Sequence, residues 1–324
     1  MTMDNARRLP SPVLILGLPR SYTSMVCTMI GQHPEMYGLP ETHLFCEPTM
    51  EAWLQRAKRA SWPMADGLLR TVAQLYFGAQ NAVTVKLARD WLSARSNVST
   101  DRLFRVLADR VFPLAVVDKS PSTIDSLKVM RRALDRFPDA RFIHLVRHPR
   151  SYGESVITLI REKEQIKPLP AKHWLLRLAS SRATPSVDKA PSQGTVLDPQ
   201  DEWYSRNVCI RDFLQAVPAG RQLRLRGEDF FIDPDVVLRG VARWMDVRTD
   251  EGAIEEMKHP ERSPFACLGP PGALYGNDGH FLSAPVLRSG GGAVGVLDGP
   301  LSWRSDNEGF RPEVRALAEE FAYE

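Results

Sequence analysis

Residues 13–34, VLILGLPRSYTSMVCTMIGQHP, carry the pattern that decides the fold. The apolar run at 13–18 is short and continuous, which is typical of a buried strand. A polar loop follows it, and apolar residues then recur at helical spacing until His33-Pro34, which predicts a helix over 22–32. Strand, loop and helix in this order form the first unit of a parallel sheet that is flanked by helices.

Two later segments repeat this arrangement. A second strand is predicted at 114–117 and ends in DKSP, and a third at 141–146 ends in RHP. Further predicted elements are a mostly helical stretch at 50–112, helices at 124–136, 151–164, 202–217, 236–245 and 310–321, and a strand at 222–226. Because ligands bind outside the carboxyl ends of parallel strands, we expect the three polar segments to face one crevice. The sequence predicts an α/β, P-loop-like, three-layer fold with a central parallel sheet.

Length and composition indicate one globular domain over residues 1–324. The chain is 43% hydrophobic and 25% charged, which is enough apolar residue to build a substantial core. Residues 1–11 are predicted to form an N-terminal tail. Residues 180–200 are rich in Ser, Pro and Asp and are predicted to be a mobile loop. Residues 259–300 are rich in Gly and Pro and are predicted to be a loop region.

Charge and cysteine content limit the partners. The net charge of +3 suits an anionic ligand but is too small for a nucleic-acid-binding surface. No apolar run reaches the roughly 18 residues of a membrane span, so we expect no membrane partner. The four cysteines are scattered without a Cys-x-x-Cys pair, which favours reduced thiols and a cytoplasmic protein. The oligomeric state cannot be read from the sequence.

The first loop resembles a Walker loop without its lysine. A Walker loop that began at Gly17 would place Gly, Lys and Ser or Thr at positions 22–24, where the chain has Tyr, Thr and Ser. An ATPase or GTPase is therefore disfavoured. What remains is a helix N-terminus, hydroxyl groups and the forked guanidinium of Arg20, which together suit an anion. Taken alone, this loop fits a plain turn with a surface arginine equally well.

A second segment, LVRHPRSYGESV at 145–156, again joins a strand to a helix with an arginine between them. Together the two segments resemble the sulfotransferases that use 3′-phosphoadenosine 5′-phosphosulfate (PAPS). The family's 5′-phosphosulfate loop is similar to Pro19, Arg20, Ser21, Tyr22, Thr23 and Ser24. The family's 3′-phosphate motif is similar to Arg147, Pro149 and Ser155. The resemblance implies that PAPS is the donor, that it leaves as PAP, and that no metal is needed.

The likeness covers most of residues 12–247. It is closest to the sulfotransferase domains of polyketide assembly lines, through VDKSP at 117–121 and the second arginine segment, and more distant to the tyrosylprotein sulfotransferases. Two positions depart from the family pattern. Tyr22 stands where the family usually has glycine, and its side chain would narrow the approach to the phosphate unless it points outward. Gly227 replaces a tyrosine of the family.

The resemblance also implies catalytic residues. Glu41, which lies 21 residues beyond Arg20, resembles the family's general base, and His43 could share or orient this base. Lys119 resembles a lysine that steadies the transferred group. Structural alternatives are a helix-terminal acid for Glu41, a hydrogen-bonded histidine for His43 and a salt bridge for Lys119. Arg288 could contact the 3′-phosphate from the Gly-rich region. A weaker candidate is Lys86, predicted to be a surface residue at a strand end.

The implied reaction moves a sulfuryl group from PAPS to a hydroxyl acceptor. The polyketide likeness points to a secondary metabolite or to an acyl chain tethered to a carrier protein. Two other functions stay open at this point. One is a divergent P-loop kinase, which the missing lysine disfavours. The other is a non-catalytic module that binds a nucleotide or a carrier protein, in which Glu41 and Lys119 would be ordinary surface residues.

Overall fold

The structure, a computed structural model, describes residues 8–166, 198–288 and 295–324. In these ranges five strands form one parallel sheet in the order β2-β3-β1-β4-β5, so that β1 is central. The strands are β1 (Val13–Leu16), β2 (Met36–Gly38), β3 (Ala115–Asp118), β4 (Arg141–Val146) and β5 (Gln222–Arg226). The predicted α/β fold with a central parallel sheet is confirmed.

Helices connect these strands and cover both faces of the sheet. The described helices are α1 (Thr23–Gly31), α2 (Met50–Arg59), α3 (Asp66–Phe77), α4 (Ala82–Ser93), α5 (Thr100–Arg110), α6 (Leu127–Arg136), α7 (Pro149–Ile166), α8 (Pro199–Leu214), α9 (Asp229–Ile232), α10 (Pro234–Met245), α11 (Glu251–Met257), α12 (Gly279–Ser283) and α13 (Pro312–Glu320). Among them, none has both the length and the apolar character required to cross a membrane.

The three layers follow from the alternation of side chains along β1. Leu14 and Leu16 belong to the larger hydrophobic core, which packs against α2 to α8 and α13. Val13 and Ile15 point to the other face and join a smaller core with α1 and α9 to α11. Successive residues of a strand face opposite sides of the sheet, so a fully apolar strand must be covered on both faces.

Three elements differ from the sequence prediction in their bounds or existence. Strand β1 ends at Leu16, two residues earlier than predicted. Strand β2 was not predicted, because three residues at a sheet edge leave no recognisable pattern. The predicted helix at 124–136 begins only at Leu127, since the Ser126 side chain accepts a hydrogen bond from the Val129 amide and caps the helix there.

The prediction that Lys86 is a surface residue is confirmed, but the prediction that it lies at a strand end is wrong. Lys86 lies exposed on helix α4 and not at a strand end. The β-branched run before it suggested a strand, but Asn81 starts a helix instead. The Asn81 side chain accepts hydrogen bonds from the Val83 and Thr84 amides, and the Thr84 hydroxyl accepts one from the Asn81 amide. This reciprocal cap favours a helix over the β propensity of the run.

The predicted loop segments are described only in part. Residues 1–7 of the tail and 180–197 of the predicted mobile loop lie outside the described residues, whereas Pro199 already belongs to α8. The Gly- and Pro-rich region contains α12 and a short 3-10 helix at Pro260–Arg262, and its residues 289–294 also lie outside the described ranges. The single-domain organisation stays a prediction.

Three backbone segments meet tightly around Glu41. The Glu41 amide donates a hydrogen bond to the Gly276 carbonyl (2.7 Å). A Cβ atom added to Gly67, in the first turn of α3, would lie 2.1 Å from the Glu41 carbonyl oxygen. A Cβ atom on Gly276, whose φ is +105°, would lie 2.7 Å from the Gly67 Cα. The position of the Glu41 backbone therefore depends on glycine at both neighbours.

This packing predicts opposite effects for two helical glycines. Gly67→Ala should destabilise the protein by about 2–3 kcal/mol, because its Cβ would overlap backbone that cannot yield. Gly240→Ala is the matched control, since a Cβ there meets nothing within 4 Å. It should stabilise the protein by about 0.5–1 kcal/mol through helix propensity. Chemical denaturation of both variants checks this, and equal effects would contradict the packing argument.

Candidate functional site

A cavity of about 320 Å³ opens at the carboxyl ends of β1, β3 and β4. Its position agrees with the predicted crevice of a parallel sheet. The lining residues are Pro19, Arg20, Tyr22, Thr23, Ser24, Met25, Glu41, Lys119, Arg147, Ser155, Phe231, Asp278, His280, Phe281 and Ala284. Nine of the twelve sequence-predicted site residues are therefore brought together in one cavity.

The other three predicted residues do not line it. Ser21 is 1% exposed, and its amide donates to the Leu18 carbonyl within the turn. His43 is equally buried and lies behind Glu41. Arg288 is exposed on the segment that follows α12.

The loop between β1 and α1 has an unusual backbone. Arg20 (φ 72°) and Tyr22 (φ 60°) both adopt the left-handed conformation, which costs a non-glycine residue about 1–3 kcal/mol. Tyr22 is the N-cap residue of α1, and no side chain caps this helix. The first amides of α1 therefore face the cavity without a side-chain acceptor, and a helix N-terminus of this kind attracts anions.

Arg20 is already paired within the cavity. Its Nη1 donates to Asp278 Oδ2 (2.6 Å), and its Nε donates to Ser155 Oγ (3.1 Å). The Asp278 amide donates to Ser24 Oγ (3.2 Å). The sequence did not identify Asp278 as a site residue. The one local indication at this position is that Asp278 precedes Gly279 and caps the helix that begins there. The Asp278 Oδ1 indeed accepts from the amides of His280 and Phe281.

Arg147 has a different environment. Its guanidinium stacks on the Tyr22 ring at 4.3 Å from the centroid, and its Nη1 donates to the Arg20 carbonyl (2.5 Å). Burial lowers the pKa of Arg147 below its ordinary value. Within the described ranges its Nε is buried and has no hydrogen-bond partner. A buried guanidinium N–H without a partner beside a cavity is a ready donor to an anionic ligand.

Glu41 and Lys119 form an ion pair on the wall of the cavity. Lys119 Nζ donates to Glu41 Oε1 and to Ser24 Oγ (2.9 Å). His43 Nε2 lies 3.5 Å from Glu41 Oε2, and His43 Nδ1 lies 2.9 Å from Ser122 Oγ. Burial by itself would raise the pKa of Glu41, but the Lys119 charge and the contacts of His43 and Lys119 outweigh it and lower the pKa to about 2.

Part of the cavity lining is apolar. Tyr22, Met25, Phe231 and Phe281 form it, and the rings of Tyr22 and Phe231 lie 4.9 Å apart. The sequence singled out only Tyr22 among these four, because an apolar side chain that lines a cavity has the same local pattern as one that fills a core. The cavity thus joins a charged end to an aromatic wall.

Comparison with known proteins identifies the chain. A family model described as "Sulfotransferase family" matches residues 12–251, which is 240 of the 324 residues. The chain belongs to the sulfotransferase family. The resemblance that the sequence showed is thereby confirmed at the level of the family.

Two solved structures share the fold of this sulfotransferase. The sulfotransferase domain from the Synechococcus PCC 7002 olefin synthase is 22% identical with a TM-score of 0.70, and the match covers 100% of this chain and 99% of that one. The sulfotransferase domain from the curacin biosynthetic pathway is 19% identical with a TM-score of 0.66, and the match covers 98% and 99% of the two chains. No curated protein sequence matches this sulfotransferase.

The Glu41–Lys119 pair predicts a pH-dependent stability difference. In the wild type the pKa of Glu41 is depressed, so the contribution of the pair is present above pH 4.5 and is lost as the pH falls towards about 2. In Lys119→Met, burial raises the pKa of Glu41, and the variant therefore loses stability as the pH rises. We expect the stability difference between the two proteins to grow from about pH 4 to pH 7, reaching on the order of 3 kcal/mol.

Denaturation of both proteins across this pH range measures the effect. The control is the double variant Glu41→Gln, Lys119→Met, which has no carboxylate at position 41 and keeps His43. The stability difference between this double variant and the wild type should therefore stay nearly constant from about pH 4 to pH 7. A pH-independent difference for Lys119→Met would mean that the pair does not set the ionisation of Glu41.

Proposed function

We propose that this sulfotransferase transfers the sulfuryl group of PAPS to a hydroxyl acceptor and releases PAP. The observation that carries the proposal is the composition of one cavity. It combines two arginines, the uncapped N-terminus of α1 and the Glu41–Lys119 pair. The arginines and the helix end suit a nucleotide that carries two separate anionic groups, and the carboxylate–ammonium pair suits a proton transfer beside a developing negative charge.

The donor is held at two places in this proposal. The 5′-phosphosulfate lies against the α1 N-terminus, Arg20, Thr23 and Ser24. It replaces the Asp278 carboxylate as the partner of Arg20, because two anions cannot share one guanidinium at low cost. Arg147 and Ser155 bind the 3′-phosphate, for which the unpartnered Nε of Arg147 is available. The aromatic wall of Phe231 and Phe281 accommodates a flat purine.

The chemistry follows from the contacts of Glu41. The acceptor oxygen forms a bond to sulfur while the bond between sulfur and the bridging oxygen breaks, and the electron pair of that bond goes to the departing phosphate. Glu41 accepts the proton of the acceptor hydroxyl. Lys119 moves its charge towards the bridging oxygen, and since this charge depresses the pKa of Glu41, its departure makes the carboxylate more basic. His43 orients Glu41 through Oε2.

The acceptor is a hydroxyl of a secondary metabolite or of an acyl chain tethered to a carrier protein. The support is that the two similar structures come from the curacin biosynthetic pathway and from an olefin synthase. Both are biosynthetic systems.

The first test is nucleotide binding. PAP should bind with 1:1 stoichiometry in the presence of EDTA, because the arginines and the helix N-terminus supply the positive charge that a metal would otherwise provide. Isothermal titration calorimetry with PAP and with ADP measures this. If ADP binds only in the presence of Mg²⁺, and binds more tightly than PAP, the result would favour the kinase alternative. Binding of a phosphopantetheinylated carrier protein without binding of PAP would favour the non-catalytic module.

The second test separates the proton transfer from nucleotide binding. Glu41→Gln keeps the shape of the side chain but removes its basic oxygen, so turnover should fall by roughly 10²–10⁴-fold. PAP affinity should hold or improve slightly, because a carboxylate near a polyanion is lost. Glu47→Gln is the matched control, since Glu47 lies six residues away and pairs with Arg56 outside the cavity.

Turnover is measured as sulfate transfer from PAPS to acceptors found in a panel of metabolite hydroxyls. If Glu41→Gln keeps near-wild-type turnover while His43→Ala abolishes it, the base is His43. If both variants remain active with a verified acceptor, neither residue of this loop is the base.

A further inference from the structure

Tyr22 and Gly227 lie next to each other beside the cavity. A Cβ atom added to Gly227 would lie 2.5 Å from Tyr22 Cδ2, which is closer than any real contact. The Gly227 amide donates to the Val146 carbonyl (2.8 Å), so the backbone at 227 is held beside the end of β4. The Tyr22 ring therefore occupies the space that a side chain at 227 would need.

The Tyr22 ring supports Arg147 without neutralising its charge. The guanidinium lies over the ring at 4.3 Å, a distance at which a cation is attracted to the ring face. Glu228 is the nearby carboxylate, but its two oxygens accept from the His148 amide and from the Tyr323 hydroxyl (both 2.9 Å). Among the described residues, Arg147 forms no ion pair, in contrast to Arg20, which is paired with Asp278.

We propose that Tyr22 acts as a positioning residue for Arg147, and that the absence of a side chain at Gly227 leaves the space that the Tyr22 ring needs. The ring holds the Arg147 guanidinium in place, so that its unpartnered Nε–H faces the nucleotide, and it thereby sets the preference for a nucleotide that carries a 3′-phosphate. This inference rests on the proposed function, because it takes the ligand of Arg147 to be the 3′-phosphate of PAP.

The experiment compares two nucleotides that differ at this position. PAP carries a 3′-phosphate, and 5′-AMP does not. Calorimetry with both gives an affinity ratio, and Arg147→Ala defines the ratio that remains when the guanidinium is absent. Tyr22→Leu should lower the ratio by about tenfold, the size of a partly buried cation–ring contact, because it weakens the binding of PAP more than the binding of 5′-AMP.

Two variants serve as controls for the ring. Tyr22→Phe keeps the ring face and should keep the ratio within about twofold of the wild type. Phe281→Leu removes another ring of the cavity wall, on which Arg147 does not stack, and should lower both affinities alike without changing the ratio. A ratio that is unchanged in Tyr22→Leu, or one that falls equally in Phe281→Leu, would overturn the positioning role.

A ligand-free measurement tests whether the Tyr22 ring occupies the space that a side chain at position 227 would need. Glycine adopts a φ of 60° readily, so Tyr22→Gly keeps the loop backbone and vacates the space of the ring. Gly227→Tyr alone should lower the melting temperature strongly, whereas Gly227→Tyr in the Tyr22→Gly background should lower it much less. If the two substitutions change the melting temperature additively, the Tyr22 ring does not fill the space at position 227 and this part of the inference is wrong.

The two failures can be told apart. If wild-type protein binds PAP no more tightly than 5′-AMP, the proposed role of Arg147 fails, whatever the melting temperatures show. If the wild type prefers PAP but the substitutions are additive and Tyr22→Leu keeps the preference, the proposed function stands and the positioning role of Tyr22 is wrong.

Discussion

The buried ion pair between Lys119 and Glu41 is the interaction on which the arrangement of the site depends. Lys119 follows β3, Glu41 follows β2, and the shared partner Ser24 lies on α1, so one ammonium group joins three segments at the carboxyl edge of the sheet. Two buried charges are costly unless each is fully paired. Once the pair forms, the loops that carry it cannot move independently, and the close approach of Gly67 and Gly276 to the Glu41 backbone restricts them further.

The pair also shows which cation lies beside the first loop, where the lysine of a Walker loop is missing. In a Walker loop the lysine comes from the loop itself. Here Thr23 takes that position, and the cation beside the loop comes from another strand, since Lys119 Nζ lies 2.9 Å from Ser24 Oγ. The loop thus has the strand–loop–helix arrangement of a Walker loop, but the lysine beside it comes from the segment that follows β3. A lysine held by a carboxylate can respond to a change of charge in the cavity, because its own partner is a titratable group.

The two arginines of the cavity differ in how their charge is balanced. Arg20 has an anionic partner in Asp278, whereas the Arg147 guanidinium lies against an aromatic ring and its buried Nε–H has no partner among the described residues. An ion pair lowers the attraction of a cation for a second anion, and an aromatic face does not remove the charge. Cations with such different surroundings suit different parts of one ligand. The strained backbone at Arg20 and Tyr22 is consistent with a loop whose geometry serves binding rather than stability.

The sequence alone determined the α/β class, the strands β3, β4 and β5 to within a residue or so, the polar clusters after the strands, and the family. These features are local: an apolar run bounded by polar residues and two short motifs are readable because neighbouring residues carry them. Only the tertiary structure decided that Asp278 pairs with Arg20, that His43 lies behind Glu41 and not in the cavity, and that the Tyr22 ring fills the space at Gly227. Asp278 and Arg20 are 258 positions apart in the sequence, and Tyr22 and Gly227 are 205 positions apart. No local pattern records such contacts, because packing of distant segments creates them.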